Sequence, residues 1–123
     1  MILTNNEIYN FATNLAKAFN DNEQRLPVKV SFYLQKNKNL LINLAQDIET
    51  ARIDIIKTYG ISQEDDNERY SIPQEKMVEV TKELEDLFSL EQEVQIHKVN
   101  IESFPDDLIL TTEQMNSIMF MID

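Results

Sequence analysis

Between Leu26 and Gly60, apolar side chains return at Leu34, Leu41, Ile48 and Ile55, seven residues apart. A second row, Val30, Asn37, Leu44, Ala51 and Thr58, interleaves with the first. A heptad rhythm held over roughly four repeats predicts a helix rather than a strand. Leu40, Ile42, Ile53 and Ile56 widen the stripe, so more than one element is expected to pack on it. Pro27 suits the first turn, where a missing N–H costs nothing. Gly60, the chain's only glycine, stands where a left-handed residue would end the helix. About thirty residues at 1.5 Å each make a rod on the order of 50 Å. Shorter elements must fold back along it. Asn37 is the polar exception in the seam. It either fixes register at some cost in stability or marks a helix end that protrudes beyond its partner.

Before the rod, Thr4-x-x-Glu7 is a capping box, and Leu3 with Ile8 forms its hydrophobic staple. Ile8, Phe11, Ala12, Leu15 and Phe19 then line one face of a helix to about Asn20. The polar turn Asn20-Asp21-Asn22-Glu23 doubles it back on the rod as an αα-hairpin. After the rod comes an acidic loop, Ser62 to Glu68. As a calcium loop it fails: Asp65 and Asn67 fit the first ligand positions, but Arg69 takes the next. There is no central glycine, and Lys76 replaces the bidentate glutamate. Arg69 to Ile72 is extended ahead of Pro73, and Ser71-x-x-Gln74 reads as a second capping box. The helix it opens buries Met77, Val80, Leu84, Leu87 and Phe88 and carries Glu75, Glu79 and Glu83 outside, with Glu85 and Asp86 beside them. Glu93 to Val99 alternates enough to predict a strand paired with the Tyr70 segment, with His97 turned to solvent. Past the turn Phe104-Pro105-Asp106-Asp107, the staple and box recur as Leu110, Thr111-x-x-Gln114 and Met115. The last helix, Thr112 to Ile122, turns Met115, Ile118, Met119 and Ile122 inward and leaves Phe120 and Met121 on its flanks. A Met-rich surface of this kind suits an adaptable binding face. The expected fold is mainly α with a minor β part. It is a single helical domain, 1–123, with a long central helix, shorter antiparallel helices and a small two-stranded β ribbon.

Charge changes this picture more than composition does. The chain of 123 residues is 42% hydrophobic, has no cysteine and carries a formal net charge of −11. Residues 1–60 hold seven Lys/Arg against six Asp/Glu, a net of +1, and residues 61–123 hold four against sixteen, a net of −12. Phosphate-backbone binding needs clustered cations, so direct nucleic-acid contact is not expected. Lys29, Lys36 and Lys38 around Tyr33 are the one basic cluster, and a solvated helix face accounts for them. No apolar run reaches membrane-spanning length and the start lacks a signal-peptide layout, so a soluble cytoplasmic protein is expected. The carboxylate row lacks the helical Glu-x-x-His of a bridged metal site, and the one histidine lies elsewhere. No nucleophile–base pair or glycine-rich phosphate loop is present. Neither an enzyme nor a cofactor or metal is expected.

The LPVKVSFYLQKN opening of the rod, its IIKTYG close, the acidic loop, VQIHKV and the terminal LTTEQMNSIMFMI together resemble a group of small proteins encoded by tailed phages of low-GC Gram-positive bacteria. The resemblance spans most of the chain, rests on helix punctuation and apolar spacing, and implies a phage origin with no functional residue to carry over. A protein-binding function follows in two versions. In the first, an acidic inhibitor of the nucleic-acid-mimic or anti-CRISPR kind covers a basic nucleic-acid-binding host protein. Its contacts would be Asp65, Asp66, Glu68, Glu75, Glu79, Glu83 and Asp86, with Phe120 and Met121 as an apolar contact. In the alternative, the protein is a structural or assembly adaptor of the phage particle that self-associates through apolar helix faces.

Overall fold

The computed structural model describes the backbone of residues 1–19, 26–63 and 66–123, and the side chains of these except at 62–69. The first capping box forms as expected. Thr4 Oγ1 accepts from the Glu7 N–H at 3.1 Å, and the Glu7 carboxylate accepts from the Thr4 N–H at 3.0 Å. It opens α1, Asn5–Ala18, directly after the short strand β1, Ile2–Thr4. Leu3 and Ile8, the staple pair, are both buried. The rod is α2, Val28–Tyr59, a 32-residue helix following Pro27. Lys38 reaches the Phe19 carbonyl at one end of α1, and Arg52 lies in electrostatic reach of Tyr9 near the other. The two helices therefore run antiparallel, as the hairpin reading required.

The seam holds over its first two thirds. Val30, Leu34, Asn37, Leu41 and Ile48 are buried, whereas Ile55 is half-buried and Thr58 exposed. One cluster unites Val30, Leu34, Leu41 and Ile48 with Leu3, Ile8, Ala12, Leu15, Val94, Val99, Ile118 and Met121. Gly60 ends the helix in extended backbone (φ −90°, ψ 159°) and not in the expected left-handed one. Its lack of a side chain serves a close approach. A Cβ there would stand 2.6 Å from the Ile56 carbonyl oxygen and 2.9 Å from Tyr70 Cβ.

That approach brings β2, Ile61–Gln63, antiparallel onto β3, Asp66–Ser71, with Ile61 opposite Ser71 and Ser62 opposite Tyr70. The mate of Tyr70 is therefore Ser62 and not the 93–99 stretch. Ser71 is held in this strand, so its capping box does not form. A 3₁₀ turn, Gln74–Lys76, leads instead into α3, Met77–Ser89. Only Val80 of α3 is fully buried, while Leu84, Leu87 and Phe88 are half-buried and Met77 is 48% exposed.

The strand expected over 93–99 does not form. The strand lies earlier, as β4, Glu91–Glu93, and pairs antiparallel with β1, Ile2 opposite Glu93. There are thus two small ribbons among the described residues, β1–β4 and β2–β3. After β4 the backbone bonds disperse. Val94 N–H donates to Met1, His97 is held by the Asn37 side chain, and Val99 bridges to Ile122. The last capping box forms, with Thr111 and Gln114 as partners, and opens α4, Thr112–Ile118.

Three buried amides tie elements distant in sequence. Asn5 Nδ2 donates to the Leu87 carbonyl at 2.8 Å, closing the end of α3. Gln114 Nε2 donates to the Ala18 carbonyl at 3.1 Å, closing α1. Asn37 donates to His97 O at 2.9 Å and accepts from His97 N–H at 2.8 Å, as a strand neighbour would. Asn37 therefore does not mark a protruding helix end. Asn5 and Gln114 answer unsatisfied carbonyls of the kind every helix end leaves, and Asn37 answers the backbone groups of His97, which lies outside the helices.

Candidate functional site

The acidic row is built by α3. At 100° per residue Glu79, Glu83 and Asp86 share one edge of the helix, and all three are exposed. Glu75 precedes them, exposed, in the 3₁₀ turn. Glu85 falls on the opposite edge with Met77, Val78, Thr81 and Lys82, around a shallow and largely apolar depression. The row is thus narrower than the sequence suggests. Asp65 lies outside the described residues. Asp66 and Glu68 belong to β3, whose side chains there are not described.

Two features define the electrostatics of this edge. Within the described residues the ion pairs are Met1 amine–Glu93 and Arg52–Glu49, so Glu79, Glu83 and Asp86 form none, although Lys76 and Lys82 stand three or four residues from members of the row. In the second pair, the hydrogen bond from Arg52 holds the Glu49 carboxyl below the usual range, despite some desolvation. The row's own partner is neutral. The Tyr59 hydroxyl, at the end of α2, donates to Glu83 Oε1 at 2.9 Å. That hydrogen bond pushes the Tyr59 pKa up, and the nearby Glu79 charge adds to it. Lys76 lies over the Tyr59 ring with Nζ 6.0 Å from its centroid. The edge is therefore continuous with the end of the rod.

At the C-terminus the structure corrects the expected faces. Met121 is completely buried and Phe120 is half-buried, stacked on Phe11 with centroids 4.6 Å apart and planes 8° from parallel. The outward residues are Met119, 58% exposed, and Met115. The cause is a change of helix. From Met119 to Met121 the chain follows a 3₁₀ turn, which advances 120° per residue and sets Met121 directly beneath Ile118. Met121 offers a partner nothing, and Phe120 offers only an edge.

The lysine group also separates on inspection. Lys38 caps the Phe19 carbonyl at 3.4 Å, and Lys36 sits 4.9 Å from the centroid of Phe32, which is 55% exposed. Tyr33 stacks on His97 with centroids 5.7 Å apart and planes 12° apart, so His97 is half-buried and does not project into solvent. The residues missed in sequence are Val78, 80% exposed on the edge away from the carboxylate row, and the buried amides Asn5 and Gln114. Val78 falls outside the Val80–Leu84–Leu87 stripe, which is a readable signal. Asn5 and Gln114 sit in first turns and look like ordinary capping-region residues.

Among the described residues, no group of three or more His, Asp or Glu converges to hold a metal ion. None of the described helices is long and apolar enough to cross a membrane. No family model, curated protein or solved structure matches the chain.

Proposed function

We propose that this is a non-enzymatic binding protein whose α3 edge presents carboxylates in place of nucleic-acid phosphates to a basic protein surface. The observation that supports the reading is the exposed edge Glu79–Glu83–Asp86, which forms no ion pair among the described residues, in a half-chain of net charge −12. At 1.5 Å rise per residue these charges fall about 5 Å apart along the axis, of the order of the 3.4 Å per phosphate of one DNA strand. A basic groove shaped for phosphates meets a similar linear density of charge. Carboxylates rigidly held on a helix then compete for it without the flexibility of a disordered acidic tail. Under the phage resemblance, the partner is a nucleic-acid-binding protein of the bacterial host.

Capture from a lysate of a low-GC Gram-positive host tests this. Nucleic-acid-binding proteins should be retained, released by duplex DNA, and released progressively as salt rises from 0.05 to about 0.5 M, where screening shortens to a few ångströms. Glu79→Gln/Glu83→Gln/Asp86→Asn should retain none of them. Retention that ignores both salt and this triple variant refutes the mimic. The exposure of Val78 (80%) and Met119 (58%) favours one second reading, an assembly adaptor docking through apolar contacts. It predicts that capture survives the triple variant and is lost in Val78→Lys or Met119→Lys.

A further inference from the structure

We propose that the outer face of α2 is a self-docking face, on which a second copy of the chain lies antiparallel about a two-fold axis. Besides Lys57, which stands about 60° off their line, four charged residues are exposed on this helix, Lys29, Lys36, Asp47 and Asp54. Their separations are seven, eleven and seven residues. At 100° per residue seven residues turn the helix by −20° and eleven by +20°, so all four stand on one line down the rod. The line is positive in the first half of α2 and negative in the second.

The line is also symmetric. Lys29 and Asp54 are equidistant from a point between Leu41 and Ile42, and so are Lys36 and Asp47. Two such helices laid antiparallel place Lys29 against Asp54 and Lys36 against Asp47 of the other copy, and the two-fold repeats both pairs. Parallel alignment would set like against like. Phe32, 55% exposed on one side of the line, then comes level with the exposed Thr50 of the second copy. Within one chain the four charges have no ion-pair partner among the described residues. Lys57, a turn beyond Asp54, makes no ion pair with it either. The arrangement is complete only between copies.

Magnitude sets the strength. The line spans about 38 Å, and a helix contact roughly 10 Å wide along it covers on the order of 400 Å² per copy. Stable complexes bury about 800 Å² per partner. The dimer is therefore weak, with a dissociation constant of roughly hundreds of micromolar. The net charge of −11 per copy opposes association. At 0.15 M salt, however, the Debye length is about 8 Å, which screens charges across the molecules more than pairs in contact. This inference is independent of the α3 edge and of the reading built on it.

Sedimentation equilibrium at 0.15 M salt decides it. The wild-type chain should rise from 14.4 kDa toward twice that mass as concentration approaches about 1 mM. Lys29→Glu/Lys36→Glu alone and Asp47→Lys/Asp54→Lys alone should each weaken association at least tenfold. Their equimolar mixture should dimerise, and so should the full reversal of all four, which leaves the net charge at the wild-type value. All four side chains are exposed, and far-UV circular dichroism checks that each variant keeps its helix. A wild-type chain that stays at monomer mass overturns the proposal. So does a dimer that neither pair of reversals weakens, or a mixture that does not associate.

Discussion

Asn37→Ala probes the tie on which the closing of the core depends. Asn37 is fully buried, and its amide both donates to and accepts from the backbone of His97, at 2.9 and 2.8 Å. Its Nδ2 also lies 3.5 Å from Met121 Sδ. Alanine removes two good hydrogen bonds, each worth about 1 kcal/mol net when water replaces the lost partner. Where water cannot enter, each stranded backbone group costs roughly 1–3 kcal/mol. The His97 side of the contact is part-buried, so water reaches it in part and the lower range applies. The expected loss is about 2–3 kcal/mol, a sizeable share of the roughly 5–15 kcal/mol that holds an ordinary domain. Urea unfolding followed by circular dichroism would show it as a lower midpoint at unchanged slope. Hydrogen exchange adds a local reading, since the His97 amide should lose protection in the variant before the amides of α1 do. A loss under about 1 kcal/mol would mean that the segment after β4 is held by other contacts. Asn37→Leu fills the space but strands the same two groups. If it proves more stable than wild type, the amide fixes register at the expense of stability, as buried polar residues in helical seams do.

Other substitutions test separate links. Gly60→Ala meets the Ile56 carbonyl and Tyr70 Cβ. It should cost about 1–3 kcal/mol and loosen β2–β3 first, seen as faster proteolysis near that hairpin. Wild-type behaviour would show that the hairpin shifts freely. Thr4→Ala breaks the first capping box and should lower stability by about 1 kcal/mol, read from the urea midpoint, with Thr4→Ser close to neutral. In an ultraviolet pH titration Tyr59 should ionise above the ordinary tyrosine value, and Glu83→Gln should lower it. Because its folded pKa is raised, the stabilisation from its bond to Glu83 is complete below the unfolded value of about 10 and is lost as pH rises through the folded value. A Tyr59 titration unmoved by Glu83→Gln would show that the bond does not form in solution.

What was legible in the sequence was local. The boxes at Thr4 and Thr111 depend on residues within a turn of one another, and both appear. The seam appears over its first two thirds, and the stop at Gly60 appears in extended rather than left-handed backbone. The box at Ser71 satisfies the same local rule and fails because Ile61, ten residues earlier, pairs with that residue. The mate of the 91–93 strand lies at the other end of the chain, where three residues between Met1 and a helix carry little strand signal. The inward turn of Met121 comes from a tightened last turn, which apolar spacing at 100° per residue cannot show. Of the candidate site, the edge Glu79–Glu83–Asp86 follows from helical spacing. Its neutral partner Tyr59 does not, being 24 residues away across the hairpin.

The pairing of β1 with β4 has a consequence for biosynthesis. Ile2 and Leu3 leave the ribosome about ninety residues ahead of their hydrogen-bonding mates, Glu93 and Gln92. At roughly 5–20 residues per second, the wait for those mates is on the order of 5–20 s. During that interval α1 and α2 are already made and the groove between them has no lid, so nascent chains on neighbouring ribosomes present the same greasy surface to one another. Slowed translation of the codons between Tyr59 and Glu93 should therefore lower the yield of native protein, while a pause within α1 should leave it unchanged.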